Sequence, residues 1–352
     1  MKEIITTPIF YSEQKGEKNK IYLGQWCIPY KSKSPNEELR QIHQYNWKTS
    51  SDFEEQFDYI IDLKDKILPQ LSSELNNLHK TNISNKGWNL IIGWWLNCFL
   101  STTLDRYLTL KRLLENNSDY IFYNADITKE QIVPNDTSES FLQFQDSDLW
   151  NHIFFGELIK NFENIKIKRF PYKKLKSEEF TPTNTNLIIK FKNKIKLLMK
   201  IFLKKFLEIN FTKSSKIYFF INPNMPLKRI LKMKLNFKRR IYLNPKFPEL
   251  KNYKFKKNMR MWKIKINKTD DTFIKLVKKL IPFWIPKIFV EGFSEINNDL
   301  NNLNLPKGEA TIFTTNIQFC GNDQIKIWVA LKRDQKSKLI IGQHGGGLNK
   351  FN

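Results

Sequence analysis

A glycine-rich segment near the carboxyl terminus has the composition of an anion-binding site. In KLIIGQHGGGLNKFN the apolar run Leu339 to Ile341 precedes His344, Gly345, Gly346 and Gly347. Glycines let backbone N–H groups approach an anion, and a histidine can donate a hydrogen bond to a phosphate oxygen. The spacing matches neither GxGxxG nor the Walker loop, so a plain tight turn is the alternative interpretation.

A second polar strand end lies in ATIFTTN, where Thr315 and Asn316 follow an apolar stretch. Ligands of parallel α/β sheets bind at the carboxyl ends of the strands. We therefore place Thr315 and Asn316 on the ligand side of the sheet, as we do His344.

The first strand region also ends in side chains suited to binding. The segment IYLGQWCIPY places Gln25, Trp26 and Tyr30 where ligand loops emerge from a parallel sheet. Trp26 could stack on a sugar or a base, or it could fill the core as an ordinary aromatic residue. Cys27 has no evident base beside it, so a nucleophilic thiol is not expected.

Asp105 and Arg106 are adjacent charges in an apolar helical stretch, LNCFLSTTLDRYLTL. Buried charges are costly unless they are paired. The two residues form either a structural ion pair or part of a site. In both cases we predict that they are buried and paired.

Several chemistries have no motif in this sequence. HExxH, GxSxG and clustered histidines are absent, and the three cysteines lie far apart. Metal hydrolases and serine hydrolases are therefore disfavoured, and we predict no metal site and no disulfide framework. The cysteine usage suits a reducing cytoplasm. The most apolar run, residues 90–100, is too short for a membrane span, which takes about 20 residues.

The net charge of +24 is concentrated in one block. Residues 166–290 contain 35 basic and 6 acidic residues, whereas residues 1–165 contain 17 and 23. The block could face a nucleotide, a phospholipid or nucleic acid, although codon composition accounts for part of the Lys content. A basic amphipathic helix predicted over 187–211 could lie on an anionic membrane or pack against the core with a solvated Lys face.

Alternating strand and helix patterns predict an α/β fold with parallel sheets. Helix caps are expected at Asp146 or Ser147 and at Asn322. The chain length fits two domains, and the patterns fit open parallel sheets with ligand loops at the carboxyl ends of the strands. The expected boundaries are 1–172 for the first domain, 173–213 for a basic linker and amphipathic helix, and 214–352 for the second domain.

Several segments resemble, in the same order, a bacterial family of surface-carbohydrate transferases encoded among lipopolysaccharide O-antigen or capsule genes. They cover nearly the whole chain and read YLGQWCIPY, YNW, LNNLHKTN, GWNLIIGWWL, LDRY, TTN and LIIGQHGGG. That family is similar to two-domain glycosyltransferases of the GT-B type, with two facing Rossmann-like domains. The resemblance implies that residues 1–172 take the acceptor and residues 214–352 take an activated sugar donor.

The sequence departs from that family at three places. Similar proteins have Glu at the position of Gln25, and a carboxylate can act as a general base whereas an amide cannot. They have a Tyr-Gly pair where this chain has Leu348 and Asn349. They also continue beyond the position of Asn352, so the resemblance implies that this chain is a truncated fragment with two Rossmann-like domains, the second of them incomplete.

The resemblance, together with these residues, leads us to expect a glycosyltransferase of surface-polysaccharide synthesis that uses a nucleotide-sugar as substrate and no cofactor. The expected site residues fall into three groups: Gln25, Asp105 and Arg106 for catalysis, Trp26 and Tyr30 for the acceptor, and Thr315, Asn316, His344, Gly345, Gly346 and Gly347 for the donor phosphates.

The expected partners are a nucleotide-sugar and a lipid-linked or polysaccharide acceptor. We expect a cytoplasmic protein with peripheral contact to the anionic inner membrane, and no nucleic-acid partner. The alternative is a non-catalytic basic protein that binds an anionic membrane or nucleic acid through residues 166–290. The block contains few Arg residues for reading bases, which disfavours a nucleic-acid ligand.

Overall fold

Two units make up the chain, as a computed structural model shows. The first unit comprises residues 1–81, 92–174 and 252–293, and the second comprises residues 82–91, 175–251 and 294–352. The structure describes residues 1–8, 19–28, 40–115, 119–171, 202–203, 205–209, 211, 216–265 and 271–343.

The α-helices with defined bounds follow the predicted alternation with strands. They are α1 (Ser50–His79), α2 (Asn85–Leu114), α3 (Thr137–Asp146), α4 (Asp148–Ile159), α5 (Leu227–Phe237), α6 (Thr272–Trp284), α7 (Phe293–Asn301), α8 (Asn316–Gly321) and α9 (Asp323–Asp334). Short 3-10 turns lie at Gln25–Cys27, Lys129–Ile132, Lys257–Arg260 and Lys287–Phe289.

The first unit is built on a five-stranded parallel sheet in the order β3-β2-β1-β4-β5. Its strands are β1 (Lys2–Ile5), β2 (Lys20–Tyr22), β3 (Gln41–Ile42), β4 (Tyr120–Asp126) and β5 (Ile165–Pro171). In the register, Ile4 lies opposite Ile21 and Glu3 lies opposite Ile121. From β1 the chain continues to β2 and β3 toward one edge of the sheet, whereas β4 and β5 lie toward the other edge. The gap between β1 and β4 is therefore the topological switch point of the sheet.

An aromatic cluster forms part of the core of the first unit. Trp150 and Phe154 of α4 stack with ring centroids 4.5 Å apart, and Trp284 of α6 packs edge-on against both. Lys287 N donates to the Pro134 carbonyl at 2.9 Å. Residues 252–293 thus pack in the first unit, which corrects the sequence-based boundary that placed them in the second domain.

The second unit is built on a four-stranded parallel sheet in the order β7-β6-β8-β9. Its strands are β6 (Ile217–Ile221), β7 (Arg240–Leu243), β8 (Ala310–Thr315) and β9 (Lys338–Gly342). Phe220 stacks on Phe313 across β6 and β8 at 4.7 Å, and Phe219 meets Trp328 of α9 at 4.8 Å. A near-continuous apolar strand such as IYFFI is typical of a sheet that is covered on both faces.

The predicted fold class, α/β with parallel sheets, is confirmed, and both sheets are consistent with a Rossmann-like fold. The predicted linker and amphipathic helix, residues 173–213, lie largely outside the described residues. Within the described ranges, no helix has both the length and the apolar character needed to cross a bilayer.

Candidate functional site

A cavity of about 280 Å³ lies in the first unit beside the carboxyl end of β1. We call it the carboxylate cavity because two aspartates line it. Its polar lining residues are Thr7, Tyr45, Asp105, Arg106, Gln145, Asp148 and Asn151, and its aromatic lining residues are Trp26, Phe144 and Phe155.

Separate chain segments bring these side chains together. Thr7 follows β1, Trp26 lies in the turn after β2, α2 supplies Asp105, and α4 supplies Asp148. The cavity therefore lies near the switch point of the sheet, where open α/β sheets bind their ligands. The sequence-predicted residues Trp26, Asp105 and Arg106 meet at this cavity.

The Asp105 carboxylate is held in place by Asn46. Asn46 Nδ2 lies 3.2 Å from Asp105 Oδ1, 2.8 Å from the Asp105 carbonyl oxygen and 2.8 Å from Thr109 Oγ1. Burial raises the pKa of Asp105, while the charge of Arg106 and the hydrogen bond from Asn46 act in the opposite direction. A fixed carboxylate with a raised pKa accepts a proton more readily than a solvated one, which suits a general base.

The Arg106 guanidinium bonds to a different set of groups. Its Nε donates to Asn151 Oδ1 at 2.9 Å, its Nη2 donates to the Phe144 carbonyl at 3.0 Å, and its Nη1 donates to the Thr102 carbonyl at 3.2 Å. Phe144 lies in the last turn of α3, where carbonyls lack helical partners, so Arg106 caps that helix. Burial lowers the pKa of Arg106 to about 10, which leaves it charged at neutral pH.

The predicted pairing of Asp105 with Arg106 is wrong, and both residues are half-buried rather than fully buried. Within the described part of the chain the two side chains form no ion pair with each other, since Asp105 bonds to Asn46 and Arg106 bonds to Asn151. Consecutive helical residues point about 100° apart, which separates their partners. The two charges interact through space while each satisfies its own hydrogen bonds.

Trp26 extends into solvent at the edge of the cavity. The side chain is 46% exposed, and its ring lies over Gly24, where an added Cβ atom would come within 2.0 Å of a ring atom. An indole with this exposure is not a core residue and is accessible to a ligand. Gln25 is exposed but does not line the cavity, and Tyr30 lies outside the described residues.

Cys27, beside Trp26, is buried, and this burial raises the pKa of its thiol to about 12. A thiol with so high a pKa stays protonated at neutral pH, and the thiolate is the nucleophilic form. The structure therefore agrees with the expectation that Cys27 is not a nucleophile.

Tyr45, Asp148 and Asn151 also line the cavity and are not among the site residues predicted from the sequence, although Tyr45 lies in the YNW segment. Burial raises the pKa of Asp148, and burial followed by the charge of Asp105 raises the pKa of Tyr45. Asp148 opens α4 just after the cap Ser147, where an acid is already favoured by the helix dipole. Its position in the sequence therefore carries no separate signal of a site.

The second unit has a cleft of about 630 Å³ at the carboxyl ends of β6, β7 and β8. We call it the amide cleft because its polar lining residues include Asn222, Asn224, Asn244 and Gln318. The chain continues from β6 to β7 toward one edge of this sheet and from β8 to β9 toward the other edge. The cleft therefore lies at the switch point between β6 and β8.

Three asparagines shape the amide cleft. Asn222, Asn224 and Asn244 adopt left-handed backbone conformations with φ of 41°, 48° and 46°, which Asn tolerates better than most residues. Asn222 N donates to Asn244 Oδ1 at 2.6 Å, and Asn222 Nδ2 donates to Gln318 Oε1 at 3.1 Å. These bonds tie together the ends of three neighbouring strands.

Helix α5 begins at the amide cleft. Its N-cap, Pro226, provides no side-chain hydrogen bond, and Leu227 in its first turn lines the cleft. The first N–H groups of a helix lack partners within the helix and favour negative charge. A helix start at a switch point is a common place for a phosphate.

The residues predicted to hold phosphate are only partly described by the structure. Thr315 lines the amide cleft, whereas Asn316 does not. The Oδ1 of Asn316 accepts a hydrogen bond from Ile317 N at 2.9 Å. Gly342 pairs with Thr315 at the end of β9. The remaining residues of that group, His344, Gly345, Gly346 and Gly347, lie outside the described residues.

Comparison with known proteins gives a family for the chain. The family model described as LIC12162 family transferase matches residues 2–352. The chain belongs to this family. A search of curated proteins and a search of solved structures each found no match.

The two clefts of this LIC12162 family transferase differ in chemistry. The carboxylate cavity offers a candidate base, Asp105, and a fixed cation, Arg106, whereas the amide cleft offers uncharged side chains and a helix start. In the described residues, no group of His, Cys, Asp and Glu side chains could hold a metal ion.

Proposed function

We propose that this transferase moves a sugar from a nucleotide-sugar to a hydroxyl of a lipid-linked or polysaccharide acceptor in cell-surface polysaccharide synthesis. The observation that carries the proposal is the convergence of Trp26, Asp105 and Arg106 on one cavity at a sheet switch point. Family membership supports group transfer in general, and the choice of a sugar rests on the chemistry of the two clefts.

The acceptor binds in the carboxylate cavity. Trp26 offers an exposed aromatic face of the kind that stacks on the apolar face of a sugar ring. Asp105 takes the proton of the acceptor hydroxyl, and the freed oxygen forms the new bond to the anomeric carbon of the donor. The bond between that carbon and the nucleotide diphosphate breaks, and the diphosphate leaves with its electron pair.

The donor binds in the amide cleft of the second unit. The first turn of α5 faces a diphosphate with backbone N–H groups, and Thr315 adds a hydroxyl. Asn244 acts indirectly, because it holds Asn222 at the cleft wall. The glycine-rich segment that follows β9 in the sequence, from His344 to Gly347, belongs to the same proposed phosphate set.

Two single variants, one in each cleft, test this proposal. We expect Asp105→Asn to abolish sugar transfer while titration calorimetry against UDP-, GDP-, CDP- and dTDP-sugars still detects donor binding. We expect Asn244→Ala to weaken donor binding itself. Full transfer by Asp105→Asn would contradict the role of the base, and an absence of binding to every nucleotide-sugar would contradict the sugar assignment.

A further inference from the structure

A third cavity, of about 720 Å³, lies in the first unit apart from the carboxylate cavity. It is lined by α6 and by residues around the short turn Lys257–Arg260. Five lysines line it, namely Lys257, Lys263, Lys275, Lys278 and Lys279. We call it the lysine cavity. Glu130 is the one acidic residue among the described lining residues.

The arginine of the lysine cavity does not add to this positive charge. Arg260 forms a two-point ion pair with Glu291, with Nε to Oε1 at 2.7 Å and Nη2 to Oε2 at 2.6 Å, and both side chains are buried. Arg260 Nη1 also donates to the carbonyls of Phe283 and Ile285, both at 2.8 Å. Arg260 is therefore neutralised and serves as structural support beneath the lysines.

Helix α6 holds three of the lysines on a firmly anchored element. Its N-cap Asp271 accepts from Phe273 N at 2.8 Å and from Tyr59 Oη at 2.7 Å. The apolar side of the helix, including Phe273 and Val277, is buried. The lysine side chains extend from a helix whose position is fixed, so the charge cluster exists before any ligand arrives.

The lysine cavity also has an apolar surface that a small inorganic anion would not need. Met261 is 75% exposed, and Trp262, Phe255 and Phe283 lie with it in the lining. Trp262 Nε1 donates to the Met259 carbonyl at 3.0 Å, which holds the indole in place. A cavity lined by both lysines and apolar side chains matches a molecule with an anionic head and a hydrocarbon chain.

We propose that the lysine cavity binds the phosphate head of an anionic lipid, with the lysines around the phosphate and Met261 and Trp262 against the start of the hydrocarbon chain. Lysine ammonium groups act as separate point charges that suit phosphate without demanding one fixed geometry. The inference is independent of sugar transfer, because it uses none of the residues of the carboxylate cavity or the amide cleft.

Vesicle binding by the full chain tests the lysine cavity directly. Co-sedimentation is measured with vesicles of phosphatidylcholine alone and of phosphatidylcholine mixed with phosphatidylglycerol. The cavity variant is Lys257→Ala/Lys279→Ala. The matched control is Lys166→Ala/Lys168→Ala, because these two exposed lysines lie on β5 of the same unit, belong to the same basic block and remove the same charge.

We expect binding only to the anionic vesicles. The cavity variant should bind them about 25-fold more weakly, at about fivefold for each lysine near an anionic surface. The control pair should change binding by less than about threefold, because its lysines lie outside the cavity. Equal losses in the two variants would show a diffuse charge effect and overturn the proposal, as would equal binding to neutral vesicles.

A second measurement separates a lipid from a soluble phosphate. Met261→Gln removes the exposed apolar contact without a change of charge, and we expect it to weaken binding to anionic vesicles while leaving the unfolding temperature unchanged. Calorimetric titration with inorganic pyrophosphate should give much weaker binding than the vesicles. Tight pyrophosphate binding without vesicle binding would overturn the assignment to a lipid.

Discussion

Replacement of Arg106 by Met should destabilise the first unit, whereas replacement of Asp105 by Asn should not. Arg106→Met leaves the Phe144 carbonyl and Asn151 Oδ1 without their donor. Each of these two part-buried acceptors that loses its partner costs about 1–3 kcal/mol, so we expect a loss of about 2–6 kcal/mol in the free energy of unfolding. The Thr102 carbonyl lies within α2 and adds little to this sum.

Asp105→Asn keeps an oxygen that can accept from Asn46, so the change should stay within about 1 kcal/mol at neutral pH. Because the folded state raises the pKa of Asp105, ionisation of this group disfavours folding. Wild-type stability relative to Asp105→Asn should therefore fall as pH rises from the ordinary carboxyl pKa through the raised one.

Urea unfolding of the two single variants and the double variant measures the coupling between the two side chains. Since they form no direct ion pair, we expect a coupling free energy below about 1 kcal/mol. A buried ion pair would give a different pattern, in which loss of either partner costs about 3–5 kcal/mol. A loss of that size in Asp105→Asn would refute the assignment of Asn46 as the hydrogen-bond partner of Asp105.

Three further predictions concern the two clefts. Gly24→Ala should displace the Trp26 ring, because the new Cβ would lie 2.0 Å from a ring atom, and acceptor KM should rise while the unfolding temperature stays nearly constant. Asn244→Ala should weaken nucleotide-sugar binding in calorimetry and lower stability by about 1 kcal/mol, because the N–H of Asn222 loses its acceptor. The pH profile of kcat/KM should lose activity as pH falls through the raised pKa of Asp105, and the midpoint should move to higher pH in Arg106→Met, since the charge of Arg106 lowers that pKa.

Local features of the fold could be predicted because neighbouring residues determine them. Ser147 accepts from Trp150 N at 3.1 Å and Asn322 accepts from Ile325 N at 3.2 Å, as their positions before apolar helices predict. The alternation of apolar strands with helices likewise predicts parallel pairing, since a strand connection of that length crosses over the sheet. These inferences need only residues that are close together in the chain.

The site could be predicted only in part, because its residues converge from distant segments. Residue type alone predicts a site role for Trp26, Asp105 and Arg106. Its position at the end of a strand predicts one for Thr315. The partners that define their chemistry, Asn46 and Asn151, have no role predicted by residue type, because an isolated asparagine fits almost any loop or helix. Asn46 does lie in the YNW segment of the family resemblance.

Residue types identify the side chains that could do chemistry, whereas the folded arrangement sets what each of them contacts. Adjacent charges at 105 and 106 suggested a pair, yet helix geometry sends them to separate partners. Residues 252–293 follow the start of the second sheet in sequence, yet Trp284 packs in the core of the first unit. Both differences have one cause. Burial and hydrogen bonding depend on which groups are close in space, and residues far apart in the chain can be neighbours in the fold.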